Sequence, residues 1–258
     1  HRVDRRQRQM CIRDRGNSHY LVTETDESDP SFSKLTPHLV VLTNLDREHL
    51  DNYSNSYSKL ETSMLELMNS IPFYGKVFIN GDDKNSLKLL KKINRGVCTY
   101  GLKKNNNLVA KSIKYIDGKK MQFDVIFSKS TYKVSTNLLG KHNVYNILSA
   151  MCVCLHLGIS ITKTIKSLNS FFGASRRFDV YKGIYINKHK PIIIDDYGHH
   201  PTEINSTLDT IKNLYPDKKI VMIFQPHRFS RTKAYWRLFL DAFRLSLIHI
   251  SEPTRRRG

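Results

Sequence analysis

Polar and charged side chains that could bind a metal ion or a phosphate are concentrated at four places in this 258-residue sequence. They occupy segments 26–29, 44–51, 195–200 and 225–231. Each segment follows a short apolar stretch of the kind that forms a strand. Because ligands of open parallel sheets bind beyond the carboxyl ends of the strands, we expect these loops to build one site in a cleft between two domains.

The first two segments suggest a magnesium site. Glu27, His49 and Asp51 offer oxygen and nitrogen donors and no thiol. Mg²⁺ prefers oxygen, accepts few protein ligands and leaves room for water and phosphate oxygens. The plain alternative for His49 is a surface histidine at the start of a helix.

The last two segments suggest an anion or substrate site. Asp195 and Asp196 could simply cap the next helix, but the added pair His199-His200 makes capping an incomplete account. Arg228 and Arg231 lie three apart at the start of a helix and share one face. Such a pair could hold a carboxylate or phosphate, whereas the alternative is a solvated basic face.

Apolar periodicity predicts an α/β fold that would position these segments. Helical spacing predicts helices over 56–70, 87–90, 142–157, 161–171, 201–214 and 236–243. Short apolar runs predict strands over 19–25, 39–42, 77–79, 97–100, 181–186, 192–194 and 220–224. Residues 107–137 predict two or three antiparallel strands with a turn at Asp117-Gly118. Alternating strands and helices indicate a mostly parallel sheet, accompanied here by a small antiparallel one.

Breaks in the pattern predict two domains, 17–173 and 174–243, flanked by non-native segments 1–16 and 244–258. The flanking segments show no helical or strand period. Codons that encode residues 10–15 have a reverse complement that encodes residues 245–250, from Leu245 to Ile250. Such a relation is typical of adapter DNA, so we exclude both ends from the fold.

Composition indicates a globular protein of the reducing cytoplasm. Apolar residues make up 40% and charged residues 25%, and no apolar run approaches the roughly 18 residues of a membrane helix. The four cysteines have neither disulfide-framework nor zinc spacing. The two ends carry +4 and +3 of the net charge of +19, which leaves +12 for the rest. That charge suits a protein that handles polyanionic small molecules as well as it suits a nucleic-acid binder.

Seven strings, in order, resemble the Mur ligase family, and they cover roughly residues 18–243. The strings are TDESDPSF (25–32), TNLDREHLDNY (43–53), IPFYG (71–75), GKHNVYN (140–146), RRF (176–178), DDYGHHPTE (195–203) and QPHRFSRT (225–232). The resemblance implies a partial central ATPase domain, followed by the first part of a Rossmann-like C-terminal domain. It also implies a bacterial, cytoplasmic enzyme that uses ATP and Mg²⁺ to join L-alanine to UDP-N-acetylmuramate through an acyl phosphate.

The resemblance assigns roles to single positions. It implies that Glu27 and His49 bind Mg²⁺, and that Arg177 reaches the ATP phosphates. It places Asp196 at the nucleotide ribose, and it places the adenine beside His142, Asn143 and Asn146.

The resemblance also implies an amino-acid and acyl-phosphate end of the site. That end contains Tyr197, His199, His227, Arg228 and Arg231, with His199, Arg228 and Arg231 as the catalytic group.

One departure from the family pattern limits what this polypeptide should do alone. No GxxxxGK[ST] phosphate loop occurs in it, so we expect the chain as written to be inactive by itself.

Two other functions remain open at this stage. A metal-dependent phosphohydrolase could use Glu27, His49, Asp195, His199 and His200 as a two-metal site. A nucleic-acid-binding module could use the positive charge, although the aromatic residues lie mainly at core spacing rather than among Lys and Arg. We expect neither a nucleic acid nor a membrane as partner, and the sequence does not indicate an oligomeric state.

Overall fold

The computed structural model describes residues 19–25, 27–47, 49–174, 176–226, 232–233 and 235–244 and, for the backbone alone, 248–251. The chain divides into two compact units, the first ending at Asn107 and the second beginning at Leu108. The predicted α/β class is confirmed by strands and helices in both units. The domain bounds predicted from sequence, including the boundary after residue 173, stay predictions.

The first unit contains a parallel sheet with helices between its strands. Its strands are β1 (Leu39–Leu42), β2 (Lys76–Asn80) and β3 (Gly96–Gly101), and β2 lies in the middle. Its helices are α1 (Tyr57–Ser70) and α2 (Lys84–Leu89), with short 3₁₀ helices at Pro30–Lys34, Leu50–Tyr53 and Leu90–Lys92.

The core of the first unit forms between α1 and the sheet. Leu60 and Met68 of α1 pack in one cluster with Val77 and Ile79 of β2. Full burial of such a side chain contributes about 1.5–3 kcal/mol. Ser56 caps the start of α1, because its hydroxyl accepts the backbone N–H of Lys59. The helix ends before Pro72, and the residue that precedes this proline is extended.

The second unit opens with an antiparallel sheet. Its strands are β4 (Leu108–Ile116), β5 (Lys120–Phe127) and β6 (Ser130–Thr136). The predicted turn at Asp117-Gly118 is confirmed, and both residues have positive φ, 51° and 60°. Buried side chains of β5 alternate with less buried ones, at Met121, Phe123 and Val125.

Two helices and two small sheets complete the second unit and carry its polar loops. Helix α3 (Lys141–His156) is followed by α4 (Ile161–Asn169). Strands β7 (Asp179–Tyr181) and β8 (Ile193–Asp195) then pair antiparallel, and β8 leads through a loop into α5 (Pro201–Leu214). Strand β9 (Val221–Phe224) pairs parallel with β10 (Ile248–Ser251), and α6 (Trp236–Phe243) lies between them in sequence.

Within the described part of the chain, each helix is too short or too polar to cross a bilayer.

Three segments differ from the sequence-based expectation. The strand predicted over 19–25 is wrong: these residues are exposed, and no described strand pairs with them. A β-prone sequence forms a strand only where a neighbouring edge accepts its backbone hydrogen bonds. The strand predicted over 181–186 is wrong beyond its first residue, because β7 ends at Tyr181 and Ile186 forms only an isolated bridge to His189. The third difference is β10, because residues 248–251 have no sequence period that predicts a strand.

Candidate functional site

The two segments that contain the predicted magnesium ligands are joined by hydrogen bonds in the first unit. The hydroxyl of Tyr53 donates to the carbonyl oxygen of Glu27 over 3.0 Å. The side-chain amide of Asn52 donates to the carbonyl oxygen of Ser28 over 2.8 Å. Both donors lie in the 3₁₀ helix that begins directly after His49. The structure therefore brings together the backbone segments of Glu27 and His49.

His49 has an uncommon backbone conformation. Its φ is +54°, and the 3₁₀ helix after it is followed by two further residues with positive φ, Ser54 and Asn55. For a residue other than glycine this conformation costs roughly 1–2 kcal/mol, and such strain tends to occur at functional sites.

The donor set of this region suits Mg²⁺. Among the described residues, no group of three or more His, Cys, Asp or Glu side chains could hold a metal ion. A set of one carboxylate and one imidazole still fits Mg²⁺, which completes its shell with water and phosphate oxygens. The assignment of Glu27 and His49 stays a prediction.

In the second unit, Asp196 holds together the linker before β7 and the loop after β8. Its Oδ2 accepts the backbone N–H of Phe178 over 2.9 Å, and its Oδ1 accepts that of Gly198 over 2.8 Å. A Cβ at Gly198 would lie 2.7 Å from the same Oδ1, so the loop needs glycine there. Each carboxylate oxygen thus carries one backbone bond and keeps a lone pair for another partner.

Arg177 lies beside Glu203 at the start of α5. Its Nη1 is 3.6 Å from Oε1 of Glu203, while Oε2 accepts the backbone N–H groups of His199 and His200 over 2.9 and 3.1 Å. Burial by itself raises the pKa of Glu203, but these hydrogen bonds and the charges of His199 and Arg177 outweigh it and hold the pKa below its ordinary value. Glu203 is therefore a charged carboxylate at neutral pH.

Tyr197 and His199 present their rings together, next to Arg176. The ring centroids lie 5.2 Å apart, edge to face, and His199 Nδ1 is 3.2 Å from the Tyr197 carbonyl oxygen. The Arg176 guanidinium lies 5.4 Å from the centre of the Tyr197 ring, and its Nε is 3.6 Å from Asp195 Oδ2. With 37% of Tyr197 exposed, this ring can contact a bound molecule.

His142 connects the start of α3 to α5. Its Nδ1 is 2.9 Å from the hydroxyl of Ser206. Burial lowers the pKa of His142, and the charge of Arg177 adds to that effect, whereas Asp196 and Glu203 oppose it. Ser206 and Glu203 lie three residues apart on α5, so His142 and Arg177 contact the same turn of that helix. Asp196 accepts the backbone N–H of Phe178, the residue after Arg177. These contacts place the predicted residues His142, Arg177 and Asp196 in one region of the second unit.

Hydrogen bonds within the protein hold the side chains of the two asparagines of α3. Asn143 donates its side-chain amide to the carbonyl oxygen of Leu139 over 2.7 Å, and its Oδ1 accepts the amide of Asn146 over 3.3 Å. Asn146 is exposed and could present an amide edge to a base.

His227, Arg228 and Arg231 lie outside the described residues.

Glu203 and Ser206 are not among the site residues predicted from the sequence. A signal for Glu203 was present, since it stands three residues after His200 and completes a capping box with it. Ser206 lies 64 residues from its partner His142, and a hydrogen bond over that separation leaves no local pattern.

Two family models match the chain. The Mur ligase middle domain matches residues 7–154, and the Mur ligase glutamate ligase domain matches residues 176–255.

Curated relatives are similar over most of the chain. A UDP-N-acetylmuramate–L-alanine ligase of Vesicomyosocius okutanii is 42% identical over 219 residues, which are 84% of this chain and 46% of that protein. One of Aquifex aeolicus is 43% identical over 218 residues, which are 84% of this chain and 47% of that protein. The chain thus spans about half the length of the curated relatives it matches.

Solved structures share the fold. UDP-N-acetylmuramate-alanine ligase MurC of Thermotoga maritima matches with a TM-score of 0.71 and 26% identity, over 88% of this chain and 48% of that one. A MurF ligase of the same organism, solved in complex with ADP, matches with a TM-score of 0.68 and 18% identity, over 83% of this chain and 48% of that one.

Proposed function

The chain belongs to the Mur ligase family, and from this premise we propose that its protein is an ATP-dependent ligase that joins L-alanine to UDP-N-acetylmuramate. The relatives at 42% and 43% identity carry that name, which supports this choice of substrates. The reaction belongs to the assembly of peptidoglycan precursors, and we place it in the bacterial cytoplasm. Neither a nucleic acid nor a membrane is a partner in this proposal.

The observation that carries the proposal is the identity of 42% and 43% to relatives named for this reaction. The contacts that His142 and Arg177 make with α5, and that Asp196 makes with Phe178, support it. A carboxylate is a poor electrophile, so ligation must first convert it to an acyl phosphate. The muramyl carboxylate attacks the γ-phosphorus of ATP and ADP leaves. The amine of L-alanine then attacks the acyl carbon, and the tetrahedral intermediate expels phosphate. The first step brings two anions together, and a guanidinium next to the phosphates reduces their repulsion.

Each residue has a place in this scheme. Arg177 pairs with the ATP phosphates, Asp196 uses its remaining lone pairs on the ribose, and Asn143 and Asn146 border the adenine with His142. Tyr197 and His199 line the amino-acid and acyl-phosphate end together with His227, Arg228 and Arg231. Of that set, His199, Arg228 and Arg231 form the catalytic group. Held in place, L-alanine competes with water for the acyl carbon.

Glu27 and His49 are the residues that would hold Mg²⁺. When bound, the ion supplies positive charge to the phosphate oxygens. The chain's contribution is to keep the two ligand segments together through Tyr53 and Asn52.

The proposal is tested by measuring phosphate release from the full-length ligase that contains this chain. We expect release only when ATP, UDP-N-acetylmuramate and L-alanine are all present, and none from the 258-residue chain alone. Release without L-alanine would favour a phosphohydrolase and contradict the proposal.

The metal assignment is tested by His49→Ala in the same ligase. Loss of one of two protein ligands should lower the ligation rate at least tenfold and raise the Mg²⁺ concentration for half-maximal rate. His19→Ala, at an exposed histidine, is the control and should behave as wild type. An unchanged Mg²⁺ dependence in His49→Ala would remove His49 from the site.

A further inference from the structure

Glu203 uses its two carboxylate oxygens for two different tasks. Oε2 accepts the backbone N–H groups of His199 and His200, which belong to the loop after β8. Oε1 faces the Arg177 guanidinium at 3.6 Å. Oε2 also lies 3.7 Å from Nδ1 of the His199 ring. One side chain therefore holds the loop through two backbone N–H groups and the linker arginine through charge.

Both tasks need the position that Glu203 occupies. It is the third residue of α5, where a negative charge is stabilised by the helix N-terminus. From there its carboxylate reaches the loop residues three and four positions earlier in the chain and Arg177, which lies 26 residues earlier. The loop carries Tyr197 and His199, and Arg177 lies on the other side of β7 and β8 in sequence.

We propose that Glu203 is a positioning residue of the ligase, which orients Arg177 toward the phosphates and fixes the Tyr197–His200 loop at the amino-acid end. This inference rests on the proposed function. Glu203 acts through these neighbours and touches no reacting atom. Oε2 contacts the loop and Oε1 contacts Arg177, so substitutions can separate the effect on L-alanine from the effect on ATP.

A helix cap of purely structural importance would behave differently. Loss of a cap lowers the free energy of unfolding and leaves the kinetic constants of the folded enzyme unchanged. A positioning residue changes KM and kcat at temperatures where the enzyme is fully folded.

The test compares Glu203→Gln with Glu203→Ala in the full-length ligase. The Gln side chain keeps a carbonyl oxygen for the two N–H groups but has no charge for Arg177. We expect its KM for ATP to rise about two- to fivefold, as for the loss of a partly exposed ion pair. Its kcat/KM for L-alanine should fall by no more than about twofold, because the N–H acceptor remains and only the 3.7 Å contact with His199 Nδ1 loses its charge. Glu203→Ala also leaves the two N–H groups without their acceptor, so kcat/KM for L-alanine should fall about tenfold or more.

A double-mutant cycle identifies the partner. If Glu203 acts on ATP through Arg177, Glu203→Gln should change KM for ATP by less than twofold in an Arg177→Ala background. The same two- to fivefold rise in both backgrounds would overturn the proposal. Wild-type kinetics in Glu203→Ala would also overturn it. The matched control is Asp209→Asn, which removes a negative charge from an exposed position further along α5.

Trypsin cleavage after Arg177 gives a readout that does not depend on activity. In the 258-residue chain, Glu203→Ala should be cut there several times faster than wild type or Asp209→Asn, because Arg177 has lost its partner. Equal rates would overturn the positioning role. If the wild-type ligase shows no L-alanine-dependent phosphate release, the proposed function fails, while the cleavage rates still report whether Glu203 holds Arg177.

Discussion

At the scale of single residues, a half-buried histidine at the start of α3 connects two helices of the second unit. His142 donates to or accepts from Ser206, and its pKa is lowered first by burial. The folded protein therefore favours the neutral ring. A neutral imidazole adds no charge of its own to this part of the second unit.

His142 predicts how stability depends on pH. Because the folded pKa lies below the ordinary 6.5, the unfolded chain takes up a proton more readily than the folded chain. This contribution is fully present above pH 6.5 and is lost as the pH falls toward the folded pKa. His142→Gln keeps a partner for Ser206 and does not titrate, so its melting temperature should fall less than that of wild type between pH 7.5 and about 5.5.

Thermal unfolding of the 258-residue chain at a series of pH values checks this expectation. His19→Gln is the control, since it removes an exposed histidine. Glu203 does not affect this measurement. Its pKa is lowered from 4.5, so the stability that it contributes is lost only below pH 4.5. Parallel pH profiles for wild type and His142→Gln would contradict the prediction.

At the scale of elements, the start of α3 depends on a glycine. Gly140 precedes the helix with φ of +101° and ψ of 141°, a region that only glycine adopts at low cost. A Cβ there would lie 2.6 Å from Cε1 of the His142 ring. The glycine in GKHNVYN thus gives room for the ring that bonds to Ser206.

Gly140→Ala should therefore destabilise the protein more than another glycine replacement with positive φ. Gly158 is the matched control: its φ is +78°, and a Cβ there would meet nothing within 4 Å. We expect Gly158→Ala to cost about 1 kcal/mol from the backbone alone and Gly140→Ala about 2–3 kcal/mol, since strain and a clash add. Urea unfolding of both variants measures the difference, and equal costs would contradict the role of the ring contact.

At the scale of the whole molecule, positive charge is the dominant property. The net charge is +19, and residues 1–16 and 244–258 together hold +7 of it. Charge of this size attracts any polyanion, whether a nucleotide or a nucleic acid. Salt dependence separates the two, because nucleic-acid affinity falls steeply as ions are added.

We expect a 20-base-pair DNA to bind the chain weakly at 50 mM salt and to be released by 200 mM. A chain limited to residues 17–243 should bind still more weakly and show a shallower salt slope, since +7 has been removed. Fluorescence anisotropy of labelled DNA measures both. Binding that persists at 200 mM salt would contradict our view that nucleic acid is not a partner.

Sequence alone determined most of the elements and the family. Helix α1, the antiparallel strands β4–β6 and helix α5 follow from local period and from turn residues such as Asp117-Gly118. The polar strings identified the family because each is a short run of adjacent residues. Local patterns of this kind are present in the sequence before the chain folds.

Only the tertiary structure decided which side chains meet. The bond between His142 and Ser206, the link from Asp196 to Phe178 and the pairing of Arg177 with Glu203 join residues that are 64, 18 and 26 positions apart. It also decided that residues 19–25 form no strand, because a strand needs an edge that its own sequence does not supply. Contacts between distant residues depend on how the elements pack, and no periodicity in the sequence specifies that packing.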